Sequence, residues 1–515
     1  MKLNYWRTIC VGFAFFLICA FWQAYDNIIP KILTDKFGMA QGWSGVIMAL
    51  DNVLALFMLP LFGAISDKCK SKRGRRTPFI VVGTIVAVIA FIGLSFIDNA
   101  QLNKLDSEGL VDGKGVEALY QHEDIVNATL MTHDGEEYVL SEKYSVDEMR
   151  HIGQAVAEGD KEATEIYDTY LVPARQAYAA QVTAKHKTIL IVFMAVLMVT
   201  LVAMSTFRSP AVALMPDVTI KPLRSKANAI INLMGSFGGI LVLALGIVFG
   251  TGKAQNAMMS YITFFTVIGA IMIIALIIFL LTVKEPRFVK EMQEESKRYG
   301  IDEEDDDGSG TRKLTRGELT SLILILASVA LWYFGYNAVT SKYSVYAGKV
   351  LNLDYNMTLI IAQAAAIISY LPVGIISSKI GRKKAILAGV VMLTTAFTVA
   401  AFLRAGSPAM LMNAMFALAG IGWATINVNS FPMVVELARG GTVGKYTGYY
   451  YTASMAAQVL TPILSGFLMD GFGMKILFPY AAIFVACAFV TMLFVRHGDN
   501  KPIAKKGLEA LDVGD

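Results

Sequence analysis

The sequence predicts an all-α membrane protein in which twelve transmembrane helices form two pseudo-symmetric six-helix bundles. Three observations predict this fold. Hydrophobic residues make up 55% of the 515 residues and charged residues only 17%, whereas soluble domains carry about 25% charged residues. The apolar residues are grouped in long blocks, and the second half of the chain repeats loop features of the first. A soluble enzyme is therefore not expected.

The apolar blocks have the length of membrane-spanning helices. A helix of about 18 or more apolar residues crosses the roughly 30 Å hydrocarbon layer, and it satisfies its own backbone hydrogen bonds, which lipid cannot do. The first block is too long for a cleavable signal peptide and has no small-residue cleavage site before Asp26 and Pro30. The predicted spans are residues 8–30, 43–66, 78–97, 188–207, 227–250, 259–283, 319–340, 356–377, 384–403, 408–432, 446–469 and 474–495.

Lysine and arginine predict the orientation of the chain. They cluster in the loops after the second, fourth and eighth spans, whereas the opposite loops carry single charges such as Lys253 and Arg404. Short cytoplasmic loops retain positive charge. We therefore expect a multi-pass protein of the cell (plasma or inner) membrane with both termini in the cytoplasm. The same rule explains the basic face, so we do not expect it to bind nucleic acid.

Two polar stretches interrupt the apolar pattern. Residues 98–187 contain 18 acidic and 8 basic residues and lie between the third and fourth spans, so we expect an extracytoplasmic insert. It is either a lid or partner site over the outer vestibule, or a solvated excursion. The predicted domains are an N-terminal bundle (1–284) that holds this insert, a cytoplasmic linker (285–318), a C-terminal bundle (319–496) and a cytoplasmic tail (497–515).

The sequence lacks the motifs of metal centres and of ATP hydrolysis. Its four cysteines have no metal-ligand spacing, and neither a P-loop nor a nucleophile elbow occurs. We therefore expect no cofactor and no bound metal centre. No predicted span contains a histidine, so a proton relay inside the membrane would use carboxylates.

A short motif occurs once in each half, in the loop between the second and third spans. The first copy contains Gly63, Asp67, Arg75 and Arg76, and the second contains Gly374 and Arg382. Glycine permits close helix contact, and a carboxylate is stabilised near a helix N-terminus. The motif resembles the signature loop of the major facilitator superfamily, a resemblance that implies two six-helix bundles and a cytoplasmic gate built from these residues. Ser378 stands where the first copy has Asp67, so we expect a weaker gate contact there.

A second resemblance lies at the end of the fourth span. The stretch from Arg208 to Asp217, both of which we assign to the gate, resembles plant sucrose transporters and the glycoside-pentoside-hexuronide cation symporters. The resemblance implies cation-coupled sugar uptake. The plant pattern has arginine where this chain has Val212, aspartate where it has Leu201, and glutamine at Arg208. The resemblance therefore does not imply that sucrose is the substrate.

Two carboxylates in the predicted spans are candidates for cation coupling. A charge in hydrocarbon costs roughly 2.5–3.5 kcal/mol on insertion scales, so an intramembrane carboxylate is functional by default. Asp26 and Asp51 are each followed by an asparagine, Asn27 and Asn52. A desolvated carboxylate can take up a proton, and an ionised one can bind Na⁺ together with amide oxygens. The alternatives are that Asp26 pairs with Lys31 at the outer interface and that Asp51 has a structural role.

Aromatic and polar residues recur four positions apart in three spans, and such pairs share one helix face. Amides bind sugar hydroxyls, and aromatic rings stack on the C–H faces of sugars. The alternative is a purely structural role, in which tryptophan and tyrosine mark the membrane interfaces and asparagine joins helices by hydrogen bonds. The superfamily resemblance implies that spans one, seven and ten line a central cavity. The predicted substrate-binding residues are Trp22, Asn27, Asn52, Trp332, Tyr333, Tyr336, Asn337, Trp423 and Asn427.

Taken together, the sequence predicts a monomeric secondary transporter that takes up a glycoside or oligosaccharide by alternating access. H⁺ is preferred over Na⁺ as the coupling ion, and the expected partners are the sugar and the lipid bilayer. Two alternatives stay open. One is an efflux antiporter for amphipathic molecules, and the other is a membrane sensor or scaffold that uses the outer insert.

Overall fold

The computed structural model describes residues 3–106, 115–132, 135–158, 160–220, 223–252, 256–299, 315–435, 437 and 443–498. Several sequence predictions lie outside these residues. They are the single charge of Lys253, the central part of the predicted linker (300–314), the side chain of Ser378 and the tail beyond residue 498.

Six long helices form the first bundle, and all of them coincide with predicted spans. They are α1 (Tyr5–Lys31, continued by a π-helical turn at Ile32–Lys36), α2 (Gln41–Asp67), α3 (Thr77–Asp106), α10 (Lys187–Asp217), α11 (Arg224–Phe249) and α12 (Ile262–Thr282). Their buried faces share one hydrophobic core, in which α1 packs against α11, and α3 packs against α10 and α12.

The second bundle repeats the arrangement around a core of its own. It consists of α14 (Arg316–Lys349), α15 (Tyr355–Ile380), α16 (Arg382–Ala400), α17 (Ala409–Val435), α18 (Val443–Phe472) and α19 (Leu477–Leu493). The start of α14 is fixed by a capping box, in which Thr315 and Glu318 exchange side-chain and backbone hydrogen bonds.

Eleven helices of the described part are long and apolar enough to cross a membrane. The remaining long helix, α15, carries a shorter apolar stretch from Tyr355 to Tyr370. A membrane protein of the predicted class is therefore confirmed, and the count of twelve spans stays a prediction.

The insert folds on its own hydrophobic core, which includes Leu119, Tyr138, Met149 and Tyr178. Its elements are α4 (Gly115–Tyr120), α5 (Glu123–Val126), an antiparallel hairpin of β1 (Thr129–Met131) and β2 (Glu137–Val139), α6 (Leu140–Lys143), α7 (Val146–Glu158), α8 (Lys161–Ile166), a π-helical turn (Tyr167–Leu171) and α9 (Val172–Lys185). We call the end of the bundles that carries it the insert end, and the opposite end the basic end.

The predicted linker begins with a helix rather than with irregular chain. Helix α13 spans Glu285–Arg298 and carries the ion pairs Arg287–Glu291 and Lys290–Glu294 at a spacing of four residues. Such pairs support an exposed helix. The sequence analysis placed this stretch in a cytoplasmic linker and overlooked the pattern.

Candidate functional site

A cavity of about 650 Å³ lies between the two bundles and receives side chains from both. Nine of the eleven predicted coupling and substrate-binding residues line it. They are Trp22, Asp26, Asn27, Asp51 and Asn52 from the first bundle, and Tyr336, Asn337, Trp423 and Asn427 from the second. Residues as far apart in the sequence as Trp22 and Asn427 thus share one chamber.

Both candidate coupling carboxylates face this chamber. Asn52 donates a hydrogen bond to Asp51 through its side-chain amide, with an Nδ2–Oδ1 distance of 2.8 Å. The suggested pairing of Asp26 with Lys31 does not form, because the Lys31 ammonium donates to the carbonyl oxygen of Thr251 at 2.7 Å instead. Asp26 therefore lies on the cavity wall rather than in an interface ion pair.

Arg208, which the sequence analysis assigned to the gate, also lines the cavity, whereas the other residues assigned to the gate do not. Its guanidinium carbon lies 5.8 Å from the centre of the Trp22 ring, and it is close enough to Asp26 and Asp51 to act on both electrostatically. The difference has a geometric cause. Asp217 lies nine positions after Arg208 in helix α10, a rise of about 14 Å, so residues of one motif lie at different depths.

Stacked aromatic rings build the wall on the second bundle. Tyr336 and Trp423 are parallel, with ring centroids 3.6 Å apart. Tyr333 meets Trp423 edge-on at 5.1 Å, so it supports the wall from behind and does not line the cavity. These contacts hold the Trp423 indole in a fixed orientation, because side chains packed on two sides lose rotamer freedom.

Trp332 does not belong to this wall, contrary to the sequence prediction. Its side chain is completely buried in the core of the second bundle. It lies one turn before Tyr336 in α14, at a position covered by the core of the second bundle. The four-residue spacing predicted a shared helix face but could not predict which of the two residues is covered.

Several amide residues of the cavity were missed by the sequence analysis. The Gln363 amide nitrogen donates to the Gln23 side-chain oxygen across the two bundles at 2.6 Å. Asn232 and Gln458 also line the chamber. The sequence could have indicated Gln23, because it is an amide beside Trp22 in a mostly apolar span. A buried amide needs hydrogen-bond partners, which would have predicted a polar neighbour for it.

At the insert end, α2 and α18 touch through glycines. A Cβ atom on Gly45 would overlap the backbone of Pro462, and one on Gly466 would overlap the backbone of Gln41. Only glycine permits helix backbones to approach this closely. The two bundles are therefore packed tightly together between the cavity and the insert end.

Polar contacts between the bundles reinforce this closure. The buried Lys342 ammonium donates to the carbonyl oxygen of Gln41 at 2.8 Å. The Asp470 carboxylate accepts hydrogen bonds from the backbone N–H groups of Gln41 and Gly42 at 2.8 and 2.6 Å. These groups begin helix α2, where the unpaired N–H groups and the helix dipole favour an anion. The second bundle thus caps a helix of the first.

Five of the eight predicted gate residues assemble at the basic end. Asp217 pairs with Arg75 at 2.6 Å and with Arg76 at 2.8 Å, while Arg76 also pairs with Asp67 at 2.5 Å and donates to the Gly63 carbonyl oxygen at 3.4 Å. All five residues belong to the first bundle, so these contacts hold one bundle together in this arrangement.

Glu285 completes this cluster and was not predicted. Its buried carboxylate accepts hydrogen bonds from the backbone N–H groups of Arg75, Arg76 and Thr77, at distances from 2.7 to 3.2 Å, and from the Thr77 hydroxyl at 2.6 Å. These groups begin helix α3, so Glu285 acts as its N-terminal cap from about 210 residues away. No local sequence pattern predicts a contact between residues so far apart in the chain.

The second copy of the motif is also tied to its own bundle. Gly374 is buried within α15, and Arg382 begins α16. The neighbouring Lys383 ammonium donates to the carbonyl oxygens of Leu493 and Val495 at 2.8 and 2.7 Å. Ser378, on which the expected difference between the two copies depends, has a side chain outside the described residues.

Two family models match the chain. One is described as Major Facilitator Superfamily and matches residues 176–454 and 357–512. The other is described as MFS/sugar transport protein and matches residues 10–100.

Sugar transporters are among the curated relatives. The chain is 32% identical over 84 residues to Sucrose transport protein SUC4 of Arabidopsis thaliana, which is 16% of each chain. It is 32% identical over 78 residues to the putative glycoside/cation symporter YagG of Escherichia coli, 14% of this chain and 17% of the relative. Proton-associated sugar transporter A of Mus musculus matches at 31% over 101 residues, 19% of this chain and 12% of the relative. The matched stretches thus span less than a fifth of each relative's length.

Solved structures of transporters share the whole architecture. The inward open conformation of the xylose transporter XylE from E. coli superposes with a TM-score of 0.57 and 13% identity, covering 99% of both chains. A bacterial homologue of the iron transporter ferroportin in an inward-facing state gives a TM-score of 0.59 at 11% identity, covering 96% of this chain and 99% of that one. At such identities the likeness concerns the fold alone, and it confirms the predicted two-bundle class.

Proposed function

The chain belongs to the Major Facilitator Superfamily, and from this premise we propose that it is a monomeric secondary transporter that carries a sugar together with a cation by alternating access. The observation that carries the proposal is the composition of the cavity between the bundles. Two carboxylates, one guanidinium, several amides and two tryptophans converge there. The names of the relatives agree with a sugar substrate and with a co-transported cation.

The cavity walls suit a glycoside or an oligosaccharide. The Asn27, Asn337 and Asn427 amides provide donors and acceptors for hydroxyl groups. Trp22 and Trp423 offer apolar ring surface from opposite bundles, against which the C–H faces of a sugar ring can pack. An efflux antiporter for amphipathic molecules would not need the amide and charged side chains that converge in this cavity, so these groups favour a sugar.

The charges of the cavity provide a coupling mechanism. With Asp26, Asp51 and Arg208 all ionised, one negative charge is left without compensation. Enclosing an uncompensated charge together with a sugar, away from water, is costly, so the sugar-loaded cavity resists reorientation while it carries this charge. One bound cation neutralises it, and the loaded carrier then reorients more readily.

Local hydrogen bonding favours a proton over Na⁺ as this cation. Asn52 donates its amide N–H to Asp51, so the hydrogen-bearing side of the amide faces the carboxylate. Na⁺ would require oxygen ligands instead, since hard cations bind carboxylate and carbonyl oxygens. A proton adds to the free carboxylate oxygen without any rearrangement of this pair.

We place the insert end outside the cell and the basic end in the cytoplasm, with both termini cytoplasmic. The clusters of lysine and arginine at the basic end support this orientation. The contacts between α2 and α18 then close the outer side, so the structure corresponds to an inward-facing state. Uptake requires these contacts to separate and reform in each cycle.

The proposal is tested by uptake of a labelled glycoside and disaccharide panel into vesicles, with H⁺ and Na⁺ gradients imposed separately. We expect at least one sugar to accumulate under the H⁺ gradient, and vesicles without the protein serve as the control. Failure of every sugar in the panel to accumulate under either gradient would contradict the proposal.

A further inference from the structure

The insert is attached firmly to the first bundle. Helix α9 lies against the π-helical turn that follows α1, and a Cβ atom on Gly38 would overlap the backbone of Ala180. Gly38 has a φ of +63°, a left-handed conformation that glycine adopts without strain. The Gln176 amide donates to the Thr34 carbonyl oxygen at 3.1 Å, and the Gln101 amide of α3 donates to the Thr183 hydroxyl at 3.0 Å. The insert therefore moves with the first bundle.

The insert also reaches the second bundle. Gly135, which lies just before strand β2, is close to the end of α18, because a Cβ atom on it would be 3.5 Å from the Phe472 carbonyl oxygen. On the π-helical turn at Tyr167–Leu171, the buried Asp168 carboxylate is close enough to Lys349 of α14 to act on it electrostatically. The insert thus spans the line along which the two bundles separate.

Lys349 is the point at which the three parts of the protein meet. Its ammonium pairs with Asp35 of the first bundle at 2.8 Å, and both side chains are largely buried, with 12% and 5% exposed. The Gln176 amide of the insert lies 3.3 Å from the same Asp35 oxygen. One oxygen of Asp168 is buried without a hydrogen-bond partner. A buried carboxylate without a full set of hydrogen bonds is costly unless a nearby cation compensates it, and Lys349 is such a cation.

We propose that the insert is a moving part of the outer gate: it is fixed to the first bundle and presents Asp168 as a second carboxylate to Lys349 of the second bundle, which favours the closed state. The proposal rests on the alternating access proposed above and adds a residue that positions the gate. When the bundles separate, Lys349 moves away from Asp35 and Asp168 at the same time. The insert therefore raises the free-energy barrier to outward opening.

A cavity cysteine reports the opening directly. Cys19 lines the cavity, and Cys10 is buried. With Cys69→Ser and Cys487→Ser as the background, a membrane-impermeant maleimide added on the insert side labels Cys19 only when the outer gate opens. The measurement needs neither sugar nor an ion gradient. A wrong substrate assignment therefore leaves this readout intact, and the two proposals fail separately.

Asp168→Asn preserves the shape of the side chain and removes its charge. We expect it to raise the rate of Cys19 labelling from the insert side about threefold, an effect of the size that the loss of one weak charge attraction produces. Glu165→Gln is the matched control, because it makes the same charge change on an exposed residue three positions earlier. Equal rates for Asp168→Asn and Glu165→Gln would overturn the proposal. Labelling from the opposite side confirms that each variant is folded.

The pH dependence of Cys19 labelling provides a second test, in which Asp168→Asn serves as the reference. Burial raises the pKa of Asp168 to about 7, an effect that Lys349 opposes, Asp35 reinforces and Arg175 of the insert opposes. Tyr167 is the neighbouring titratable group on the same turn. As the pH falls through about 7, Asp168 takes up a proton and loses its attraction to Lys349. Labelling in the background protein, relative to Asp168→Asn at each pH, should therefore rise toward acid pH, and a constant ratio would contradict the proposal.

Discussion

The Lys342 ammonium of α14 donates to the Gln41 carbonyl oxygen of α2 over 2.8 Å, so a buried cation of one bundle holds the first residue of a helix in the other. Asp470 accepts the N–H group of the same Gln41. The backbone N–H and C=O groups of Gln41 are thus both hydrogen-bonded to the opposite bundle. This closure at the insert end, together with the charged cavity beneath it, defines the state from which the following predictions are made.

Gly466→Val is expected to prevent closure at the insert end, because its side chain would overlap the Gln41 backbone. Uptake should be lost while binding of sugar from the insert side remains. Gly471→Val is the matched control on the same helix, since a Cβ atom there meets nothing within 4 Å. Uptake and outer binding are measured in the same vesicles, and normal uptake by Gly466→Val would show that this contact is not needed.

Asp51→Asn is expected to abolish accumulation against a gradient and to leave sugar counterflow partly intact. The amide cannot take up the coupling proton, but it preserves the size and polarity of the side chain. Accumulation and counterflow are compared in one vesicle preparation, with the exposed Asp147→Asn as the control. Accumulation at the normal level would remove Asp51 from the coupling role.

Trp423→Ala and Trp332→Ala are expected to act in different ways. Trp423 lines the cavity, so its loss should weaken sugar binding about tenfold, or about 1.4 kcal/mol. Trp332 lies in the core, so its loss should lower the stability by about 3–5 kcal/mol with little change in affinity. Equilibrium binding and thermal unfolding separate the two effects. An unchanged affinity in Trp423→Ala would place that residue outside the site.

Glu285→Gln is expected to destabilise the basic end by about 1–3 kcal/mol, because a charged acceptor shared by several N–H groups is replaced by a neutral one. The melting temperature should fall, whereas Glu294→Gln, exposed on the same helix, should leave it unchanged. Equal melting temperatures for both variants would mean that the Glu285 cap contributes nothing measurable.

The sequence predicted those features that depend on local pattern or on the cost of burial. Asp26 and Asp51 were recognisable because charges in apolar spans are rare, and Gly63, Asp67, Arg75 and Arg76 because they form one short motif. The sequence did not show how far along its helix a residue lies from the cavity. For this reason it did not predict that Arg208 lines the cavity or that Trp332 lies in the core.

Contacts between distant parts of the chain were also beyond sequence reasoning. The cap that Glu285 provides for α3 and the contact of Gly466 with Gln41 join residues about 210 and 425 positions apart. Each depends on how whole helices pack, and no local signal marks the partner. The insert shows the same limit, because its acidic composition predicted exposure but not the buried position of Asp168.

The most direct test of the central claim is the pH of the medium around lightly buffered, de-energised vesicles when a transported sugar is added. If Asp51 carries a proton inward with the sugar, the medium turns alkaline at once, and the signal disappears in Asp51→Asn. Sugar entry with no change in pH, or the same alkaline shift in Asp51→Asn, would contradict the account.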